Sequence, residues 1–207
     1  MQFLREPPAA SREIAVFCGA FHPPTVAHLA LSQAARQHVD AIVWAMPESF
    51  PHKSYDTVGR AERLQLVLKA TTDAVAVTRE NLFFAVAQEL RETIPAARIH
   101  LLIGEDGVRR LFEWDYGEGE DWKGEYLKTH LQHTPLLSLR RQDQWVVPLE
   151  YQDSIRWLET ATAHREVSST QVRDRIASGL DWEHLVPPAI IPEVSRLYGS
   201  SGRSNGQ

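Results

Sequence analysis

Short apolar runs recur along the chain, each followed by a stretch with helical spacing. The first run is Ile14–Phe17, and similar runs follow at Ala41–Met46, Ala74–Val77, Ile99–Ile103 and Leu136–Leu139. They are too short for helices and do not alternate with polar residues, the pattern of strands buried on both faces. Trp145–Val147 reads as a further strand. Between the runs, Val26, Leu29, Ala30 and Ala34 predict a helix over Val26–Val39, and Leu64, Val67 and Leu68 predict one over Arg60–Thr71. Leu82–Thr93 reads as a helix stopped by Pro95. Later helices are predicted at Asp153–Thr162, at Thr170–Ser178 with Gly179 at its end, and at Pro192–Tyr198. Strands alternating with helices predict an α/β fold, Rossmann-like and doubly wound, with a mainly parallel sheet and helices on both faces.

Four stretches depart from this rhythm. Pro47–Thr57 carries prolines and serines and reads as a loop. Residues 115–133 are rich in acids, aromatics and glycine and read as an insertion with one short helix at Tyr126–Leu131. Residues 1–12 read as a flexible leader and 199–207, polar and rich in glycine and serine, as a flexible tail. The expected organisation is therefore one domain over 13–198.

Composition narrows the function classes. A chain of 207 residues with 43% apolar content can build one substantial core. Its net charge of −5 argues against general binding of nucleic acid or anionic membranes, while leaving room for a local basic pocket. No apolar run approaches membrane-spanning length. Cys18 is the sole cysteine, so no intrachain disulfide or cysteine zinc cluster is available. That suits a cytoplasmic setting, with Cys18 expected to be a small buried residue.

In an open parallel sheet, ligands bind beyond the carboxyl ends of the strands. Just past the first strand lies Cys18-Gly-Ala-Phe-His-Pro-Pro-Thr-Val-Ala-His28. Gly19 permits close backbone approach, Pro23 and Pro24 stiffen the turn, and Thr25 is a good N-cap, placing His28 in the first helical turn. That turn's free N–H groups and dipole favour an anion. Near the C-terminus, Val167-Ser-Ser-Thr-Gln-Val-Arg173 supplies a second helix start with hydroxyls at Ser168, Ser169 and Thr170 and a guanidinium at Arg173. Pro51-His52-Lys53 follows the second strand, and Gly104-Glu-Asp106 with Trp114 follows the fourth. His130 and His133 lack an obvious partner carboxylate, so no metal site is assigned to them.

Gly19, Phe21, Pro23, Thr25 and His28 resemble the Gly-x-Phe-x-Pro-x-(His/Thr)-x-x-His signature of the nucleotidyltransferase superfamily. Ser168, Ser169, Thr170 and Arg173 resemble its Ser-Ser-Thr-x-x-Arg element. Pro51-His52-Lys53, Gly104-x-Asp106 with Trp114, and Leu185-Val-Pro-Pro with Leu197-Tyr-Gly199 are similar to elements of bacterial nicotinate-mononucleotide adenylyltransferases. The resemblance implies an enzyme that transfers AMP from ATP to nicotinate or nicotinamide mononucleotide in NAD biosynthesis, releasing pyrophosphate. It implies His28, Thr25 and Arg173 in catalysis, and Gly19, Ala20, Phe21, Ser168, Ser169, Thr170, Gly104 and Asp106 at the nucleotide. Lys53 and Trp114 would face the acceptor. Mg²⁺ would arrive with ATP, and the partners would be ATP and a small phosphorylated acceptor, with an oligomer compatible.

This chain departs from the pattern at His22, where aspartate is common, and at Ala27, where glycine is usual. The segment Thr78–Glu89 lacks the aromatic-Thr-x-x-Thr run that grips the pyridine nucleotide, carrying Asn81, Phe83 and Phe84 instead. Alternative readings are therefore a nucleotidyltransferase for another phosphorylated acceptor, phosphopantetheine-like or CTP-using, and a catalytically silent nucleotide-binding sensor.

Overall fold

The computed structural model describes residues 1–49, 58–113, 120–140, 146–159, 164 and 166–199. The described strands are β1 (Gln2–Arg5), β2 (Glu13–Cys18), β3 (Ala41–Pro47), β4 (Ala74–Thr78), β5 (Arg98–Gly104), β6 (Leu136–Leu139) and β7 (Ile155–Leu158). They form one sheet in the order β1-β4-β3-β2-β5-β6-β7. All neighbours pair in parallel except β1, which runs antiparallel to β4. The helices are α1 (Val26–Ala35), α2 (Arg60–Ala70), α3 (Phe83–Thr93), α4 (Glu105–Glu113), α5 (Glu120–His133), α6 (Ser169–Ala177) and α7 (Ile191–Gly199). This is the doubly wound α/β architecture expected from the sequence.

The two faces of the sheet explain why the strands read as unbroken apolar runs. Ile14, Val16, Val43, Ile99 and Leu101 pack on one face with Phe84 and Leu90 of α3 and Leu127 and Leu131 of α5. Ala15, Phe17, Ile42, Trp44 and Leu102 pack on the other with Leu31 of α1 and Val67 of α2. A third cluster joins Leu66 of α2 to Val172 of α6 and to Ile190 and Val194, so the C-terminal helices lie outside the sheet and against α2. From β2 the chain builds outwards through β3 and β4, then crosses to the other side of β2 to add β5, β6 and β7. The reversal falls between β2 and β5, and the carboxyl end of that seam is where a doubly wound sheet opens a crevice.

Several expectations need correction. The segment read as a flexible leader contains β1, with Gln2 opposite Val77 and Phe3 opposite Ala76. Its Arg5 guanidinium donates to the carbonyls of Leu68 (3.0 Å), Thr71 (2.6 Å) and Asp73 (3.1 Å), capping the end of α2. The helix expected at Asp153–Thr162 is instead a 3₁₀ turn over Leu149–Ser154 followed by β7, whose Ile155 pairs with Leu136 and whose Leu158 pairs with Leu139. Pairing with β6 and burial of Ile155 and Leu158 outweigh local preference there. Val146 and Val147 form no strand: Val147 drops into the core while Val146 stays exposed. The first helix ends at Ala35, four residues before Val39, where His38 N–H turns back to the Ala35 carbonyl.

In the stretch read as an insertion, the helix is longer than expected. Trp122, Tyr126 and His130 fall at successive fourth positions and stack, at 4.8 Å and then 4.0 Å between centroids. Phe84 of α3 meets the His130 ring at 4.9 Å, and His130 Nδ1–H donates to the Tyr126 carbonyl at 2.8 Å. The tail expected over 199–207 lies, beyond Gly199, outside the described residues.

Arg5→Ala is expected to lower the unfolding free energy by about 1–3 kcal/mol, the cost of leaving part-buried carbonyls without their donor. Urea unfolding checks this; an unchanged midpoint would mean that the Arg5 bonds add nothing to stability.

Candidate functional site

The loop after β2 is built on a glycine and a strained phenylalanine. Gly19 N–H donates to the Ala45 carbonyl at 3.1 Å, extending the β2–β3 pairing beyond Cys18. A Cβ at Gly19 would lie 3.0 Å from the Phe21 ring, so no larger residue fits without displacing it. Phe21 has φ = 45°, a left-handed conformation that costs a non-glycine residue roughly 1–2 kcal/mol. Its ring is 2% exposed and packs edge-on to Phe17 at 5.4 Å and against Trp44 at 4.8 Å.

Distant helices hold the loop by its carbonyls. Arg63 of α2 donates to Ala20 O at 2.9 Å and to Gly59 O at 3.3 Å. Arg173 of α6 donates to His22 O at 2.7 Å and to Thr170 Oγ1 at 3.1 Å. Ser169 Oγ donates to Pro23 O at 2.7 Å. Residues about 150 positions apart in the chain thus meet on one loop, with separations of 151 and 146 for the last two loop contacts.

The loop delivers His28 to the start of α1. Thr25 is fully buried and caps the helix, its Oγ1 accepting His28 N–H at 3.4 Å. Reciprocally, Thr25 N–H donates to His28 Nδ1 at 3.0 Å, and Thr25 Oγ1 lies 2.8 Å from the same nitrogen. This is a capping box with histidine where glutamate or glutamine is usual. A backbone N–H can only donate, so Nδ1 accepts and the proton of the neutral ring sits on Nε2. The Phe21 ring meets His28 edge-on at 5.4 Å and fixes the imidazole from the side.

A cleft opens beside this imidazole, at the carboxyl ends of β2 and β5. Its lining includes Cys18, His28, Phe83, Gly104, Asp106, His164, Ser168 and Ser169. Ser168 caps α6, its Oγ accepting Gln171 N–H at 3.1 Å. The starts of α1, α4 and α6 therefore face one space, three helix N-termini that favour negative charge. Burial pushes the Cys18 thiol up to about 12, so it is protonated near neutral pH and makes a poor nucleophile. Cys18 is half-buried at the cleft wall, not enclosed in the core as expected.

Most of the expected residues converge here. His28, Gly104, Asp106, Ser168 and Ser169 line the cleft, with Thr25 directly behind His28. Asp106 lies in the first turn of α4. Gly19, Ala20 and Phe21 shape the loop, and Thr170 braces Arg173. Arg173 reaches the loop but is absent from the cleft lining, its bonds running to His22 O and Thr170. Lys53 and Trp114 lie outside the described residues.

The sequence reading missed His164 and Arg63. His164 stands four positions before Ser168 and gave no periodic signal. Arg63 did leave one, since it shares the helical spacing of the buried Leu66 and Val67 and is itself 3% exposed.

The charges of both arginines reach His22. Its ring packs edge-on to Tyr198 at 5.1 Å, and burial, with the nearby Arg173 and Arg63 guanidiniums, lowers its pKa to about 4. Burial pushes the Tyr198 hydroxyl up, against the pull of the same two arginines. His22 thus serves as a neutral filler where a third positive charge would be repelled.

Residues 16–175 match the cytidylyltransferase-like family. The chain is 26% identical over 201 aligned residues to a probable nicotinate-nucleotide adenylyltransferase of Exiguobacterium sibiricum, covering 91% of this chain and 100% of that protein. It is 28% identical to one of Shouchella clausii, covering 92% of this chain and 98% of that one. Among solved structures it is similar to Plasmodium falciparum nicotinic acid mononucleotide adenylyltransferase complexed with NaAD. That match has a TM-score of 0.66 at 14% identity, over 89% of this chain and 95% of the other, and bears on the fold.

His22 gives a pH test. Its folded pKa of about 4 lies below the ordinary histidine value, so between roughly pH 6.5 and 4 the unfolded chain binds a proton that the folded chain refuses. Stability is expected to fall as pH drops through that window, by up to about 3 kcal/mol from this group at ~1.4 kcal/mol per pKa unit. In His22→Gln that part of the slope should be missing from urea unfolding measured across the window. Equal slopes in the two proteins would contradict the assignment.

Proposed function

The chain belongs to the cytidylyltransferase-like family, and from that membership we propose that it transfers the adenylyl group of ATP to nicotinate mononucleotide. The products are the deamido dinucleotide and pyrophosphate, a step of NAD biosynthesis. The relatives' names support the acceptor. The observation that carries the chemistry is the Thr25–His28 capping box, which leaves the imidazole proton on Nε2 in a cleft shared with Ser168 and Ser169.

A phosphate oxygen of the acceptor attacks the α-phosphorus of ATP, a new P–O bond forms, and the bond to the bridging oxygen of pyrophosphate breaks. No protein nucleophile is needed, so the protein positions the reactants and stabilises charge. His28 Nε2–H donates to a non-bridging α-phosphate oxygen as negative charge grows there. Thr25 keeps that nitrogen protonated by occupying Nδ1. The start of α6, with Ser168, Ser169 and Thr170, cradles the β- and γ-phosphates. Arg173 supports that cradle through the loop and adds positive charge beside it. Gly104 leaves room for the nucleoside, and Asp106 accepts from ribose hydroxyls. Lys53 and Trp114 are assigned to the acceptor on resemblance alone.

Among the described residues no group of three or more His, Cys, Asp and Glu is arranged to hold a metal ion. The divalent ion, Mg²⁺, is proposed to enter with the substrate as MgATP, held largely by phosphate oxygens and water. No helix among the described residues is long and apolar enough to cross a membrane. The proposed setting is cytoplasmic.

His28→Ala is expected to lower kcat by about a hundred- to thousandfold, the usual cost of removing one such donor, with the far-UV circular dichroism unchanged. Pyrophosphate release with ATP or CTP against nicotinate mononucleotide, nicotinamide mononucleotide and phosphopantetheine identifies the substrates. The expected order puts ATP with nicotinate mononucleotide first. ATP binding without release for any acceptor would contradict the proposal and favour a sensor.

A further inference from the structure

Arg63 is a buried cation near the start of α2, on the face that meets the loop after β2. Its Nη1 holds Ala20 O at 2.9 Å and its Nε holds Gly59 O at 3.3 Å. Ala20 O belongs to the peptide plane immediately before Phe21, and rotation of that plane about the Phe21 N–Cα bond is φ itself. Arg173 holds His22 O, on the far side of Phe21. The one described non-glycine residue with positive φ therefore lies between two carbonyls gripped by guanidiniums from different helices.

We propose that Arg63 is a positioning residue for His28: with Arg173 it clamps the loop so that Phe21 keeps its left-handed conformation. An unclamped Phe21 would relax toward ordinary negative φ. Its ring would then leave the gap between Gly19, Trp44 and His28, where it now stands 5.4 Å from the imidazole. His28 would lose its side support, and the Thr25 contacts that fix its tautomer would loosen. A guanidinium suits this task because one planar group reaches two carbonyls, which a lysine ammonium on a flexible stem does less well.

The proposal rests on the adenylyl-transfer reading for its kinetic readout only. The test compares full-length wild type, Arg63→Met, Arg63→Lys and His28→Ala, each labelled with ¹⁵N-histidine, with His28 signals identified by their loss in His28→Ala. In wild type the His28 nitrogens should report one fixed tautomer, protonated at Nε2. In Arg63→Met they should move toward a tautomer average, and kcat with MgATP and nicotinate mononucleotide should fall about a hundredfold, as misplacement of a reacting group by an ångström can do. The KM for ATP should change less than kcat, because Ser168 still caps the α6 start that would hold the phosphates. Arg63→Lys should fall between wild type and Arg63→Met, and it carries the test if Arg63→Met does not fold. A folded variant with wild-type His28 signals and kcat within about twofold of wild type would overturn the proposal, even if its melting temperature dropped. If wild type itself transfers nothing, the adenylyl-transfer reading fails, and the nitrogen signals still decide the clamp.

Discussion

Three carbonyl oxygens of one loop, those of Ala20, His22 and Pro23, are each taken by a donor from a distant helix. The loop has two prolines and little regular structure of its own, so these bonds give it a single shape. They also turn the partially negative ends of three peptides toward arginine and serine. That arrangement suits a site meant for phosphate, where exposed carbonyl oxygens would repel the ligand. The capping box at Thr25 and His28 then continues the fixed geometry into α1. Without the clamp, the His28 imidazole would sit at the end of a tether.

The sheet sets where this can happen. Reversal of strand order between β2 and β5 separates the helices that follow them, and the gap at their carboxyl ends is the cleft. At the sheet's other side, Asp73 gathers Ser32 Oγ, Trp44 Nε1, Thr71 Oγ1 and Arg36 around one carboxylate, tying α1 and β3 to the start of β4. The Trp44 indole therefore links both ends: its N–H anchors it to Asp73 while its ring forms the wall against which Phe21 packs. Packing, polar anchoring and site geometry are continuous through that one side chain.

Much of this was legible in the sequence because the governing signals are local. Doubly buried strands have no polar alternation, and Thr25 and Ser168 announce helix starts by type alone. What was illegible depends on partners far along the chain. Gln2–Arg5 is a four-residue edge strand with two polar residues, recognisable only once β4 is beside it. Ile155–Leu158 is too short for its period to be told from a helix turn, and pairing with β6 decides it. The Trp122, Tyr126 and His130 spacing was visible, but the surrounding acids and glycines hid it. In the site, motif residues could be named but not their division of labour. Arg173, expected in catalysis, also bonds the loop through His22 O, and Arg63, in an ordinary helical position by sequence, is buried.

On this reading the imidazole of His28 and the start of α6 act on a single bound triphosphate. A crystal structure of the protein soaked with a non-hydrolysable ATP analogue tests it most directly. His28 Nε2 is expected at hydrogen-bond distance, about 2.7–3.2 Å, from an α-phosphate oxygen, with the β- and γ-phosphates against Ser168, Ser169 and Thr170. A triphosphate bound away from α6, or an imidazole turned from the α-phosphate with Nε2 directed elsewhere, would contradict it.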